Sequence, residues 1–290
     1  MSRILHTIVL AAVVSLSAAQ DTPIFKSDVK LVEVYATVFD HGGHPVDGLI
    51  REQFEIRDDG AAQPIRVFES ADAALSCALL LDTTASMTAA MPALRNAGRQ
   101  FIGQLRPNDR VAVYGFSDHV DELSEMTEDK AAARRALARL HAAGRTALFD
   151  AISQVALILE RRPGKKAIVV LTDGGDNASI LNRQSAANRA RKAGVPVFAV
   201  AEGDALKDST AANLLRELSQ ATGGHMYKAE HAKDIDAVFD AIAGDLQSGY
   251  LLAFNPPAEE KPPLWHEIQI VVKNTQKPLT VRARTGYAGE

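Results

Sequence analysis

Four apolar runs alternate with amphipathic stretches between residues 76 and 201, and this alternation constrains the fold more than any other feature of the chain. The runs cover residues 76–81, 110–116, 166–172 and 195–201. They have strand length and show little polar alternation. A strand that is apolar on both sides must be buried on both sides, the situation of a parallel sheet covered by helices. The intervening stretches have the helical period. Met91, Leu94, Phe101, Ile102 and Leu105 share one face, with Pro92 acceptable in the first turn. Leu148, Ala151, Ile152, Val155 and Leu159 share another, stopped by Pro163-Gly164. Thr127 is expected to cap a helix whose positive end holds Glu128 and Asp129. Further helices are expected near 182–192, 209–221 and 234–246, with Gly194 and Gly223-Gly224 at their stops. Weaker strands surround 120–123 and 225–227. The fold class is therefore α/β, a doubly wound and mostly parallel sheet.

The flanks have a strand pattern. Residues 29–39 alternate and end in the turn Asp40-His41-Gly42-Gly43. A short strand at 54–56, the turn Asp58-Asp59-Gly60 and a strand at 64–68 follow. Beyond Gly249, strands are expected at 250–254, 267–272 and 279–282, with a proline-rich loop from Asn255 to Pro263. Neither flank is large enough to fold alone. We expect them to pair as one small β-sandwich into which the α/β domain is inserted; two separate appendages would leave the same pattern. The expected divisions are 1–19, 20–73, 74–248 and 249–290.

Residues 1–19 read as an export signal. Arg3 precedes an apolar stretch over 4–16, and Ser17-Ala18-Ala19 supplies small residues for cleavage after Ala19. The stretch is short for a membrane span, no other candidate span occurs, and Gln20 stands where a lipid-bearing cysteine would be needed. A secreted or periplasmic product is expected. The formal charge of −4 gives no basic footprint for nucleic acid. Arg161-Arg162 and Lys165-Lys166 flank a Pro-Gly pair and read as a solvated turn. Cys77 is the single cysteine, so no internal disulfide can form, and it reads as a small buried residue.

The run Leu79-Leu80-Leu81 ends in Asp82-Thr83-Thr84-Ala85-Ser86. A buried strand that delivers Asp82, Thr84 and Ser86 to its carboxyl end puts hard oxygen atoms where open α/β sheets bind ligands. Two further loops are placed to contribute: Gly144-Arg145-Thr146 before a helix, and Thr172-Asp173-Gly174-Gly175 after the most apolar strand. Thr146 and Asp173 can then reach the point addressed by Asp82, and the oxygen set suits Mg2+ or Mn2+. Arg145, Asp176 and Asn177 stand at the rim, where they either shape partner choice or are solvated loop residues.

These three loops, in this order, resemble the von Willebrand factor type A domain, the fold shared by integrin ligand-binding domains. The resemblance covers roughly residues 76–246. Its metal-ion-dependent adhesion site is written D-x-S-x-S with a threonine and an aspartate from two later loops. These fall on Asp82, Thr84, Ser86, Thr146 and Asp173, Thr84 replacing the first serine but keeping its hydroxyl. The resemblance implies that Thr84 and Ser86 ligate the metal directly, that Thr146 does so when a partner is bound, and that Asp82 and Asp173 act directly or through water. A protein partner would then complete the shell with a carboxylate oxygen. The β flanks, including Arg284-Thr285-Gly286-Tyr287, resemble those of exported bacterial proteins with a related domain.

Enzyme readings fit poorly. A dehalogenase-type phosphoryl transferase resembles D-x-D-x-T here, but Thr84 occupies the place of the second acid. The chain has no G-x-S-x-G, no H-E-x-x-H and no phosphate-cradling glycine loop. Two functions remain: a metal-dependent adhesion-type module, or a structural scaffold in which the metal only stabilises loops.

Overall fold

A computed structural model describes residues 31–173, 175–203, 206, 209–231, 234–257, 264–273, 275 and 277–289. The expected export signal and its cleavage point lie outside the described residues. Among those residues, no helix is long and apolar enough to cross a membrane.

The centre is a six-stranded sheet built from β5 (Leu75–Asp82), β6 (Arg110–Phe116), β7 (Val120–Thr127), β8 (Lys165–Thr172), β9 (Val197–Glu202) and β10 (Met226–Ala229), in the order β10-β9-β8-β5-β6-β7. All pairs are parallel except β6 with the edge strand β7, where the register slips between Val111 and Tyr114. Alternate residues of β5 divide between two apolar layers. Cys77, Leu79 and Leu81 pack under α1 (Met91–Gln104) and α6 (Ile235–Gln247), with α2 (Lys130–Ala136) beside them. Ala78 and Leu80 pack under α3 (Leu148–Glu160), α4 (Arg183–Lys192) and α5 (Ser209–Thr222). The uninterrupted apolar runs are explained by this double cover.

The remaining strands form two four-stranded antiparallel sheets. One has the order β13-β1-β11-β4, from β13 (Thr280–Ala283), β1 (Val32–Phe39), β11 (Tyr250–Phe254) and β4 (Val67–Glu69). The other has the order β14-β12-β2-β3, from β14 (Gly286–Tyr287), β12 (His266–Val272), β2 (Phe54–Asp58) and β3 (Ala61–Gln63). Each sheet mixes strands from both ends of the sequence: Val34 pairs with Leu252, and Ile56 with Ile270. Their inner faces share one core containing Val34, Ile56, Tyr250, Phe254, Ile268 and Ile270.

Three local expectations are corrected. The strand expected at 64–68 begins only at Val67, as β4; Pro64, which has no N–H for a ladder, follows the end of β3 at Gln63. Thr127 ends β7, and the N-cap of α2 is Asp129, whose side chain accepts from the Ala132 N–H; the Thr127 hydroxyl instead accepts from the Asp129 N–H. The basic pair Lys165-Lys166 is buried, not solvated. Lys165 Nζ donates to the Ala71 carbonyl at 2.9 Å, and Lys166 Nζ meets Glu33 Oε2 at 2.7 Å. Both amines reach from β8 into the flanking strands' territory.

Candidate metal centre

The chain turns from β5 toward β6 on one side of the sheet and reaches β8 on the other. The gap between the carboxyl ends of β5 and β8 is therefore the switch point of the sheet, where open α/β folds bind ligands. Asp82 is the last residue of β5, and Thr172-Asp173 leave β8 beside it.

Hydrogen bonds fix the loop after Asp82. Thr83 donates to the Phe116 carbonyl from its N–H at 2.8 Å and from its hydroxyl at 2.9 Å. The 143–146 loop is sewn to it: Ala143 N–H donates to Thr83 O at 2.7 Å, and Ala85 N–H to Gly144 O at 3.2 Å. Gly144 adopts φ +80, and a Cβ there would come within 2.3 Å of Asp118 Oδ2, so glycine is required twice over. Asp118 itself accepts from Arg145 N–H at 3.1 Å and from Arg145 Nε at 3.3 Å.

At the centre, a chain of oxygens runs through Asp82, Thr84, Ser86 and Asp173. Asp82 Oδ1 accepts from Thr84 N–H at 2.9 Å and from the Thr84 hydroxyl at 2.6 Å. Asp82 Oδ2 accepts from the Thr172 hydroxyl at 2.6 Å. The Ser86 hydroxyl donates to Asp173 Oδ1 at 3.0 Å. Thr84 Oγ1 and Ser86 Oγ lie 3.0 Å apart. Each hydroxyl has one proton. The two hydroxyls are also within hydrogen-bond reach of each other, where either can be the donor. Two carboxylates and two hydroxyls linked in this way offer converging oxygen donors to a cation. The separation of 3.0 Å equals the edge expected of an octahedron with bonds of about 2.1 Å, the Mg2+ value. The residues present therefore fit a hard divalent ion.

Thr146 lies on the third loop, whose preceding residues Ala143 and Gly144 are hydrogen-bonded to the loop after Asp82. It is buried, and its backbone is locked to the Asp173 loop: Thr146 N–H donates to Asn177 Oδ1, and Thr146 O accepts from the N–H groups of Asn177 and Ala178, each at 3.0 Å. Asp176 Oδ2 accepts from Phe149 N–H at 3.0 Å and also takes the Ser179 hydroxyl. Asp150 accepts from the N–H groups of Ile180 and Leu181, each at 2.9 Å. Asp176 and Asn177 thus brace α3 against the loop after β8. Arg145 is exposed and held by Asp118.

Asp82 is fully buried, and that burial pushes its carboxyl above the usual range; hydrogen bonds from Thr172 and Thr84 oppose the rise and the charge of Asp173 adds to it. Glu202, at the end of β9, is also raised, first by burial and then by Asp173. The sequence reading passed over Glu202, although an acid closing an apolar run is the signal that picked out Asp82. It also passed over the Thr172 hydroxyl. Ser86 is the exposed member of the oxygen chain, so the site opens to solvent on its side.

The fold and this edge define a von Willebrand factor type A domain. The family model for that domain matches residues 77–241, and the chain belongs to the family. Among curated relatives, the UPF0353 protein ML1808 of Mycobacterium leprae (strain TN) is 24% identical over 216 residues, which span 60% of this chain and 63% of that protein. The chain thus matches less than two thirds of the length of the relative. Among solved structures, a von Willebrand factor type A protein from Catenulispora acidiphila aligns with TM-score 0.53 and 14% identity over 91% of this chain and 74% of its own. The vWF domain of the type V pili tip protein Mfa5 from Porphyromonas gingivalis aligns with TM-score 0.50 and 14% identity over 59% of this chain and 94% of its own. At these identities the likeness is one of fold.

Proposed function

We propose that this chain is an exported, non-enzymatic, metal-dependent protein-binding module of adhesion type. The observation that carries the reading is the linked cluster of Asp82, Thr84, Ser86 and Asp173 oxygens, with Thr84 and Ser86 hydroxyls 3.0 Å apart between two carboxylates at the switch point of the sheet. Mg2+ or Mn2+ held there by Asp82, Thr84, Ser86, Thr146 and Asp173 would supply an electrophilic position for one oxygen of a partner's carboxylate. The chain's own groups do the rest. Thr172 and Thr84 hold the Asp82 carboxylate in place from both sides. Asn177 holds Thr146 at the edge. Arg145, at the exposed rim, offers a cation to an acidic partner, and Asp176 and Asn177 keep that rim in shape. The three hydroxyls of the set bring no charge, so where Asp82 and Asp173 act through water the cation keeps positive charge toward an anionic partner.

The test uses an array of short peptides with one central Glu, each paired with its Gln counterpart, probed with the full chain in Mg2+ and in chelator. Retention of Glu peptides only, lost in chelator and in Asp173→Ala, is expected. Retention that ignores chelator, or that treats Glu and Gln alike, contradicts the reading and favours the scaffold.

A further inference from the structure

The second sheet of the β-sandwich carries a group of side chains that the type A site does not use. The turn between β2 and β3 presents Asp58 and Asp59, and β12 begins at His266. His266 Nδ1 lies 2.9 Å from Asp59 Oδ2 and 3.6 Å from Asp58 Oδ1, and one ligand atom from each residue falls within 4.8 Å of the others. From this geometry we infer a second metal site, of transition-metal type, formed by Asp58, Asp59 and His266.

The distances support it. With bonds of about 2.1 Å, separations of 2.9 and 3.6 Å subtend about 90° and about 120° at a shared centre, which bracket the tetrahedral angle. Two carboxylate oxygens with one imidazole nitrogen is a zinc-type donor set, with a fourth position left for water or an outside ligand. Mg2+ prefers oxygen alone. Charge points the same way. Asp58 and His266 are each only 3% exposed, and two carboxylates with a neutral imidazole sum to −2, which one divalent cation cancels.

The surroundings hold the donors in position. The Tyr287 hydroxyl donates to Asp58 Oδ2 at 2.9 Å, which leaves Oδ1 as the atom on the imidazole side. The Tyr287 ring stacks on His266 with centroids 4.6 Å apart and planes 6° from parallel. Glu267 N–H donates to Asp59 Oδ1 at 2.8 Å, which turns Oδ2 toward His266. Outer partners of this kind orient metal ligands. Asp59 adopts φ 48, which swings its carboxylate back over the strand end, and it is the exposed member through which an ion could enter. Binding would replace the proton on His266 Nδ1 with the metal and release it to solvent.

The site lies on a different sheet from the type A edge and does not rest on the function proposed above. The test is a titration of Zn2+ into the chelator-stripped full chain in excess Mg2+, so that the oxygen-only site is already filled. Asp59→Asn is the central variant, because asparagine accepts the same backbone angle and the residue is exposed. Its melting curve in chelator shows that it folds. One Zn2+ per chain is expected in the wild type and in Asp173→Ala, with at least a tenfold loss of affinity in Asp59→Asn. Co2+ substituted for Zn2+ should give a visible band of low-symmetry N/O coordination that is lost in His266→Gln. Failure of the wild type to take Zn2+, or equal uptake by Asp59→Asn, overturns the inference.

Discussion

The hydroxyl oxygens of Thr84 and Ser86 lie 3.0 Å apart, while Thr84 donates to Asp82 and Ser86 to Asp173. Thr84 precedes a 3-10 turn over Ala85–Thr88, and that turn carries the Ser86 hydroxyl round to the Thr84 hydroxyl. Together with the two carboxylates, these hydroxyls form a linked set of oxygens that a cation can share.

Asp82 should cost the metal-free protein stability at neutral pH. Its folded carboxyl is raised above the unfolded value of 3.8, chiefly by burial. The folded state therefore holds the proton more tightly than the unfolded chain. The resulting stability is complete below 3.8 and is lost as pH rises through the raised folded value. Asp82→Asn keeps the acceptor for Thr84 and carries no charge. In chelator at pH 7 it is expected to melt a few degrees above the wild type, on the order of 1 kcal/mol, with the gap closing toward pH 4. Added Mg2+ should raise the wild-type melting point and leave that of Asp82→Asn unchanged. A lower melting point for Asp82→Asn in chelator at pH 7 would contradict this.

Glu202 should strengthen cation binding from the neighbouring strand end. It is buried at the end of β9, and its carboxyl feels the charge of Asp173. Glu202→Gln removes one negative charge and is expected to raise the Mg2+ dissociation constant about fivefold, near 1 kcal/mol. An unchanged constant by calorimetry would place Glu202 outside the field of the site.

The legible and illegible parts of the chain divide along physical lines. The runs at 76–81 and 166–172 announced central strands because burial on two faces leaves no polar positions. Asp82 and Asp173 stood out because each breaks such a run abruptly. Lys165 and Lys166 misled because their burial depends on Ala71 and Glu33, partners that sequence spacing does not bring near. Thr127 and Asp129 are both good capping residues two positions apart, and the length of β7 decided between them. The β-type flanks suggested a sandwich, but which strand pairs with which was set by antiparallel closure across more than 200 positions, as in Val34 with Leu252.

Arg282 should couple the last helix of the α/β unit to the β-sandwich. Its Nη1 meets Asp245 Oδ2 at 2.5 Å, and Asp245 also accepts from the Tyr227 hydroxyl. Asp245 is buried near the end of α6, where the Tyr35 hydroxyl of β1 donates to Leu246 O at 3.1 Å. Arg282→Leu strands that carboxylate and is expected to cost about 3 kcal/mol in denaturant unfolding. The double variant with Asp245→Leu should recover part of the loss. A loss for Arg282→Leu below about 0.5 kcal/mol, the range of an exposed pair, would contradict the coupling.

Lys165 should be a stability liability below its folded pKa. Burial leads the causes that pull its amine from 10.5 down to about 8. The folded state thus gives up the proton first, and stability rises as pH climbs from about 8 toward 10.5. Lys165→Met removes this dependence. The Ala71 carbonyl keeps its bond from Arg106 Nη1 at 2.8 Å. The variant is expected to be more stable than the wild type at pH 7 by on the order of 1–2 kcal/mol, with little difference at pH 10.5. Urea unfolding at the two pH values checks it, and an equal gap at both would contradict the cause.

The most direct test of the metal centre is calorimetric titration of Mg2+ into the chelator-stripped full chain, beside Ser86→Ala, Asp173→Ala and Asp59→Asn. One site is expected in the wild type and in Asp59→Asn, with heats lost in Ser86→Ala and Asp173→Ala while both retain cooperative melting. No heat in the wild type, or unchanged binding in Ser86→Ala and Asp173→Ala, would contradict a cation held between β5 and β8.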